Sequence, residues 1–442
     1  MKRSNFDTLA NRVVRTAALC GGTHGNELTG VTVVRRYLTA YGDHPETGGT
    51  VAAGVSAGEN AAGRDETFRR GESASPAGDA SRRGESASPA GDASRRTDSA
   101  SPAGDASRRT DDADRPGNVP FPPPRRPETF TLTALITNPE AVARNRRYID
   151  FDLNRSFGTA SLAAPHGGGY ERQRAHVLNA LLGPKGSPTP ETELIIDLHT
   201  TTADLGATII IREDDRLARF IAAWCLREVP GLRVMSYLAE ETEVEADAVR
   251  RARGGAGSAP PALEGAPSGS DRPASPGTAP GTEPPAGGAP GAADRPGDYP
   301  YLAEIAPHGI EVEVGPVPQG VIRGETVLVT ERIVDACIAA VDAWNRDDET
   351  NLPDTITVYR YTEAVDYPRT AAGEIDGFVH PDRQDRDFAP LQPEDPLFVR
   401  LDGSVVPYRG AAGRYPVFIN EAAYYEKRAA MTLCDRREIT VG

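Results

Sequence analysis

The segment Cys20-Gly-Gly-Thr-His-Gly-Asn-Glu-Leu-Thr-Gly30 places His24 and Glu27 three residues apart where a strand hands over to a helix. At a helix start that spacing aims an imidazole and a carboxylate at one point, as the first two ligands of a metal ion must be. A lone HxxE pair is equally well explained by a capping glutamate beside a surface histidine. A second segment, Glu193-Leu-Ile-Ile-Asp-Leu-His199, adds weight: it is a short apolar run closed by Asp197 and His199, the pattern of a buried parallel strand. Open α/β sheets gather ligand sites beyond the carboxyl ends of their strands, so His24, Glu27 and His199 can converge there. Two histidines and a glutamate leave zinc a position for water, the donor set of a catalytic rather than a structural ion, and the implied chemistry is hydrolysis.

Hydrolysis of an amide at such a centre also needs a base for the water and a positive group for the developing oxyanion. Glu313 is the candidate base, in an apolar strand that stops at Gly315-Pro316, where burial raises a carboxyl pKa. Glu311 shares its alternation and its face. Arg147 and Arg155 flank an acidic, aromatic loop, and a guanidinium suits bidentate capture of a carboxylate or polarisation of a carbonyl. Ion pairs with Asp150 and Asp152 are the competing explanation. Asp197 can orient a ligand histidine from behind or cap the next element.

The elements that must position these groups read as follows. Residues 12–19 form the first strand, and Asn26 caps a helix whose apolar spacing is set by Leu28, Val31, Val34 and Leu38. A strand over 130–136 leads into Asn138-Pro139, an N-cap with proline at the first helical position. Glu171 to Leu182 is a helix with Ala175, Leu178 and Leu181 on one side. Strands follow at 193–199, 208–211 and 232–238, with a helix over 216–227 between the last two. His308 to Pro316 is a strand, and residues 325–344 form a long helix. From 351 onward short strands dominate: 355–361, 397–406 with an Asp402-Gly403 turn, and 415–420.

Two stretches interrupt this order. Residues 51–126 contain a thirteen-residue polar repeat running from Arg69, Arg82 and Arg95, and residues 249–298 are dense in proline and glycine. Neither has a face to bury, so both read as disordered insertions. Without the first, roughly 100 residues separate His24 from His199, room for two or three α/β elements. The expected organisation is a catalytic domain over 1–345 carrying both insertions and a C-terminal β domain over 346–442 that contributes to the active site.

A net charge of −15 over 442 residues argues against nucleic acid or an anionic membrane surface as a partner. Cys20, Cys225, Cys337 and Cys434 are scattered without a CxxC pair, which suggests neither a disulfide framework nor a cysteine metal site. No apolar run makes a signal peptide or a membrane span, and the expectation is a cytoplasmic protein.

Six segments together resemble the aspartoacylase branch of the aspartoacylase and succinylglutamate desuccinylase family: 21–30, 138–142, 147–155, 197–202, 313–320 and 415–427. They span both expected domains in the same order. The resemblance implies a zinc carboxypeptidase-like α/β fold, a mixed sheet flanked by helices with a small mainly β C-terminal domain. It implies one Zn2+ per subunit held by His24, Glu27 and His199, with Glu313 as general base and acid and Arg147 polarising the scissile carbonyl. Asn154 and Arg155 match substrate-carboxylate contacts. Tyr301 aligns with a substrate-binding tyrosine, and Tyr424 with one that reaches over the active site. One departure stands out: family members acting on N-acetylaspartate carry an arginine about ten residues before the catalytic glutamate, and position 303 is alanine here.

These readings lead to a zinc amidohydrolase that converts N-acyl, foremost N-acetyl, amino acids to a carboxylate and a free amino acid. The partner is a small molecule, and a homo-oligomer is compatible with the sequence. Succinylglutamate desuccinylase or carboxypeptidase activity, and a non-catalytic metal-binding module, are the alternatives.

Overall fold

Apolar β-branched runs and amphipathic helices alternate along the first three quarters of the chain, and they assemble as one mixed α/β sheet with helices on both faces. The computed structural model describes residues 13–41, 52–53, 121–164, 168–237, 298–349, 351–425 and 427–442. The repeats, and all of 249–298 except Asp298, lie outside the described residues. The strands in chain order are β1 (Thr16–Gly21), β2 (Ala52–Ala53), β3 (Thr131–Ile136), β4 (Leu194–Thr200), β5 (Gly206–Arg212), β6 (Arg233–Tyr237), β7 (His308–Gly315), β8 (Thr355–Val365), β9 (Gly377–Val379), β10 (Pro396–Arg400), β11 (Val405–Pro407), β12 (Arg414–Val417) and β13 (Met431–Thr440). The helices are α1 (Leu28–Tyr41), α2 (Pro139–Ala143), α3 (Thr159–Ala163), α4 (Tyr170–Leu182), α5 (Arg216–Glu228) and α6 (Gly324–Asn345).

Ten strands form the large sheet in the order β12-β13-β8-β6-β5-β7-β4-β1-β3-β2. From β7 through β4 and β1 to β2 every neighbour is parallel, whereas β5 pairs antiparallel with β7. The C-terminal strands β8, β12 and β13 continue the same sheet, and β9 to β11 make a separate three-stranded sheet over Leu391, Leu397, Phe398 and Met431.

The period of two along each central strand sorts its residues to opposite faces. Leu19, Leu194, Ile196 and Leu198 pack with Val33 of α1, Ile221 of α5 and Val334 of α6. Ala18, Cys20 and Ile195 pack on the other side with Ala175 and Leu178 of α4. Asp197 and His199 share the parity of Ile195, and β4 pairs them in register with Glu311 and Glu313 of β7. Four polar residues therefore stand on one face of two central strands, and Glu313 is not on a sheet edge.

Several boundaries differ from the sequence reading. β1 runs from Thr16 to Gly21, four residues later than the apolar run begins. Asn26 does not cap α1: it lies two residues before Leu28 and donates its side-chain amide to Gln319 Oε1 at 3.0 Å. α4 buries Ala175, Leu178 and Leu182, leaving Leu181 37% exposed, because the polar Glu171 and Arg174 occupy the buried stripe. β12 ends at Val417, since Phe418 and Asn420 both adopt positive φ. The edges of both expected insertions are ordered parts of the fold: Ala52–Ala53 pair with β3, Arg125 N–H donates to Asp335, and Asp298 bonds Lys185. Asn138 caps α2 as expected, its Oδ1 accepting from Ala141 N–H.

Candidate active site

The turn between β1 and α1 carries His24 and Glu27, closed by a hydrogen bond from Glu27 N–H to His24 O at 3.1 Å. The pair thus sits on a turn just ahead of the helix rather than within it. Two glycines make the turn possible. Gly22 has φ +75°, and a Cβ on Gly25 would stand 2.2 Å from the Ala141 backbone of α2. His199 arrives from the carboxyl end of β4.

His24, Glu27 and His199 are buried, and one ligand atom from each lies within 4.8 Å of the others. His24 Nδ1 is 2.7 Å from Glu27 Oε1 but makes no hydrogen bond, an orphaned donor atom in a sealed place. His199 Nδ1 is 3.0 Å from Glu27 Oε2. The opposite ring nitrogens are held from behind: His24 Nε2 by Asp152 Oδ1 at 3.0 Å, and His199 Nε2 by Asp197 Oδ2 at 2.8 Å. Asp197 is completely buried and also accepts from Thr23 Oγ1 at 2.7 Å. Asp152 and Asp197 hold the two rings from behind, with each Nδ1 turned toward Glu27, where a metal ion could be shared by all three. The donor set and its supports therefore fit a divalent ion.

The electrostatics agree. Burial alone would lift the Glu27 carboxyl, but His24 and His199 more than offset it and hold it well below the ordinary range. Burial would lower His199, yet Asp197 and Glu27 raise it well above the usual imidazole value. A positive charge is favoured between these groups, and a bound cation would take the place of the imidazolium proton.

Glu313 faces the same cavity from β7, half-buried, with Oε2 sealed and unpartnered. Burial raises its carboxyl well above the ordinary value, against the pull of His199 and with help from Glu27, Glu421 and Glu311. Glu311 is raised to about 7, by burial first. Arg147 donates through Nη1 to Glu27 Oε1 at 3.1 Å, and its Nη2 lies 2.8 Å from His24 Nε2 and 3.5 Å from Asp152 Oδ2. Ion pairing and a place at the cavity thus go together for Arg147: its contacts with Glu27 and Asp152 hold the guanidinium against the cluster.

Arg155 stands 4.6 Å over the Tyr301 ring. Asn154 is buried on the cavity wall, where its Oδ1 accepts from Leu302 N–H at 2.8 Å and fixes the turn that carries Tyr301. Tyr424 also lines the cavity, packed on Phe418 with Lys427 4.6 Å above its ring. Glu421 locks this C-terminal turn to the end of β4, accepting from Thr202 N–H at 2.7 Å, from Ala203 N–H at 3.3 Å and from the Thr201 and Thr202 hydroxyls. Every residue expected to hold the metal, move a proton or touch substrate lines one cavity, and Asp197 stands behind it against His199. The sequence reading missed Asp152 and Thr23 as supports and Ile210, Met235, Tyr237 and Tyr361 as lining residues. The pattern Asp150-Phe-Asp152 was visible, but only the fold shows which carboxylate turns inward.

A mixed α/β sheet with a buried His-Glu-His cluster at the carboxyl ends of its strands defines the class, and comparison with known proteins narrows it. Residues 122–341 match the succinylglutamate desuccinylase/aspartoacylase catalytic domain, and residues 354–436 match the AstE/AspA barrel-sandwich hybrid domain. The chain is 31% identical over 312 residues to a probable aspartoacylase of Acaryochloris marina, covering 71% of this chain and 86% of that one. It is 34% identical over 303 residues to aspartoacylase of Mus musculus, covering 67% and 78%. It is 32% identical over 324 residues to the N-acyl-aromatic-L-amino acid amidohydrolase (carboxylate-forming) of Xenopus laevis, covering 72% and 86%. The crystal structure of murine aminoacylase 3 superposes with a TM-score of 0.61 at 26% identity, covering 97% of both chains. The chain belongs to the succinylglutamate desuccinylase/aspartoacylase family, in its aspartoacylase branch. Its four cysteines are free and buried, and among the described residues no helix is long and apolar enough to cross a membrane.

Proposed function

We propose that this protein is a zinc-dependent amidohydrolase that cleaves N-acyl, foremost N-acetyl, amino acids to a carboxylate and a free amino acid. The observation that carries the reading is the meeting of His24, Glu27 and His199 within 4.8 Å at a cavity that Glu313 also lines, where burial raises its carboxyl and makes its ionised form a stronger base. One zinc ion, held by those three residues, would supply Lewis acidity for water and for the scissile carbonyl.

The chain's own groups divide the remaining work. Glu313 takes a proton from the attacking water and returns it to the leaving amine, a shuttle suited to a carboxyl with a raised pKa. Arg147, aimed by Glu27 and Asp152, donates hydrogen bonds to the carbonyl oxygen as negative charge builds on it. Arg155 binds the substrate α-carboxylate, with Tyr301 stacked beneath its guanidinium and Asn154 holding Tyr301 in place. Tyr424, brought to the cavity by the Glu421 lock, covers the bound acyl amino acid. The names of the mouse and frog relatives support this substrate class. The two-part division at about residue 345 and a cytoplasmic setting belong to the same proposal.

The test is a screen of N-acetyl and N-succinyl amino acids with zinc-loaded protein, together with Glu313→Gln. Turnover of an N-acyl amino acid by wild type, lost in Glu313→Gln while zinc stays bound, supports the reading. Wild type that binds zinc and hydrolyses no member of the panel would identify a metal-binding module instead.

A further inference from the structure

The cavity holds one carboxylate that the reaction above does not use. Glu311 lies two residues before Glu313 on β7, on the same face, about 7 Å further back along the strand. Its register partners are Asp197 of β4 and Ile210 of β5. It lines the cavity with Ile210, Met235, Tyr237 and Tyr301, and its Oε1 is sealed from solvent without a hydrogen-bond partner. A buried acceptor with no donor is costly, so this position favours an incoming donor.

Besides the two histidines, three basic side chains line the cavity. Arg147 is engaged with Glu27 and Asp152, Arg155 lies over Tyr301 where the α-carboxylate would bind, and Lys427 lies over Tyr424. The groups that act on Glu311 are mixed: His199 and Arg155 attract its charge, and Asp197 and Glu304 oppose it. Glu304 is itself paired with Arg212 Nη1 at 3.0 Å and accepts from the Tyr237 hydroxyl at 2.7 Å; of these carboxylates only Glu311 lines the cavity at that point. A substrate side chain ending in a carboxylate would meet like charge there. An ammonium would meet a carboxylate framed by tyrosine rings, and aromatic faces attract cations.

We propose, resting on the N-acyl amino acid reading, that Glu311 is the specificity residue of the side-chain subsite and selects substrates whose side chain ends in an ammonium group over those ending in a carboxylate. The zinc-loaded full-length protein is assayed with Nα-acetyl-lysine, Nα-acetyl-ornithine and N-acetylaspartate, alongside Glu311→Gln and Glu311→Ser. Wild type is expected to favour the better ammonium substrate over N-acetylaspartate by about 10–100-fold in kcat/KM, the scale of one charge-assisted contact. Both variants should lose most of that ratio, chiefly through KM. A wild type that prefers N-acetylaspartate, or a ratio unmoved in folded variants, overturns the assignment while leaving the deacylase reading intact. If none of the three is hydrolysed, the wider N-acetyl and N-succinyl screen decides the deacylase reading. Calorimetric binding of free lysine, ornithine and aspartate to wild type and Glu311→Gln then decides: preference for the diamino acids lost in the variant supports the subsite, and its absence refutes it.

Discussion

Asp197 offers the sharpest perturbation, because it touches the metal cluster only through His199. Its two oxygens are both used, Oδ2 on His199 Nε2 at 2.8 Å and Oδ1 on Thr23 Oγ1 at 2.7 Å, and it is fully buried. Asp197→Asn keeps the shape. Its amide oxygen can still accept from His199, and its NH2 can donate to Thr23, whose hydroxyl can turn to Thr137 Oγ1 at 3.0 Å. What is lost is the charge, and the gap between a charge-assisted and a neutral hydrogen bond is about 1 kcal/mol, or roughly fivefold in affinity. Asp197→Ala removes both acceptors and leaves His199 Nε2 buried without its partner, so zinc affinity should fall about 10–100-fold. Competition with a chromophoric chelator measures both constants, with the melting temperature as a check on folding. A graded loss, alanine worse than asparagine, is the expected result. Zinc affinity within a factor of two of wild type in the alanine variant would mean that His199 is not a ligand oriented from behind, and the argument built on the paired carboxylates would fail.

Other perturbations read separate parts of the fold. Arg147→Lys should lower kcat by about 100-fold or more with a smaller change in KM, as expected for loss of a donor aimed at developing charge; equal losses in KM alone would contradict that role. Glu421→Ala removes the acceptor shared by the 201–203 backbone and hydroxyls and should cost about 2–4 kcal/mol in chemical denaturation. Asp387, raised to about 7 by burial while its Oδ1 accepts from Ile419 N–H, favours its protonated form in the folded chain. The native state then holds the extra proton between pH 4 and 7, so stability falls as pH rises through that window, by up to about 4 kcal/mol. Asp387→Asn should flatten this slope in urea melts at pH 4.5 and 8, and an unchanged slope would assign it to other groups.

How much could be read from the residues alone follows from periodicity and its limits. The run Leu194-Ile-Ile-Asp-Leu-His199 announces a buried strand because few other contexts tolerate it, and its parity places Asp197 and His199 on one face. The capping assignment of Asn26 failed because its side chain is claimed by Gln319, 293 residues away, and no local signal encodes that. The cavity wall was equally hidden. Ile210, Met235 and Tyr237 look like ordinary strand residues, and only the pairing of β5 with β7 and of β6 with β5 brings them to the cavity that Glu311 lines. Tyr424 was legible only through resemblance, since its approach depends on the positive φ of Phe418 and Asn420.

The claim on which the rest depends is that His24, Glu27 and His199 hold one zinc ion. Anomalous diffraction from crystals of the purified protein, collected on both sides of the zinc absorption edge, tests it most directly. The account predicts a single peak bounded by those three side chains, absent below the edge and lost in His199→Ala. No peak there in crystals grown with zinc, or a peak held by other residues, would contradict it.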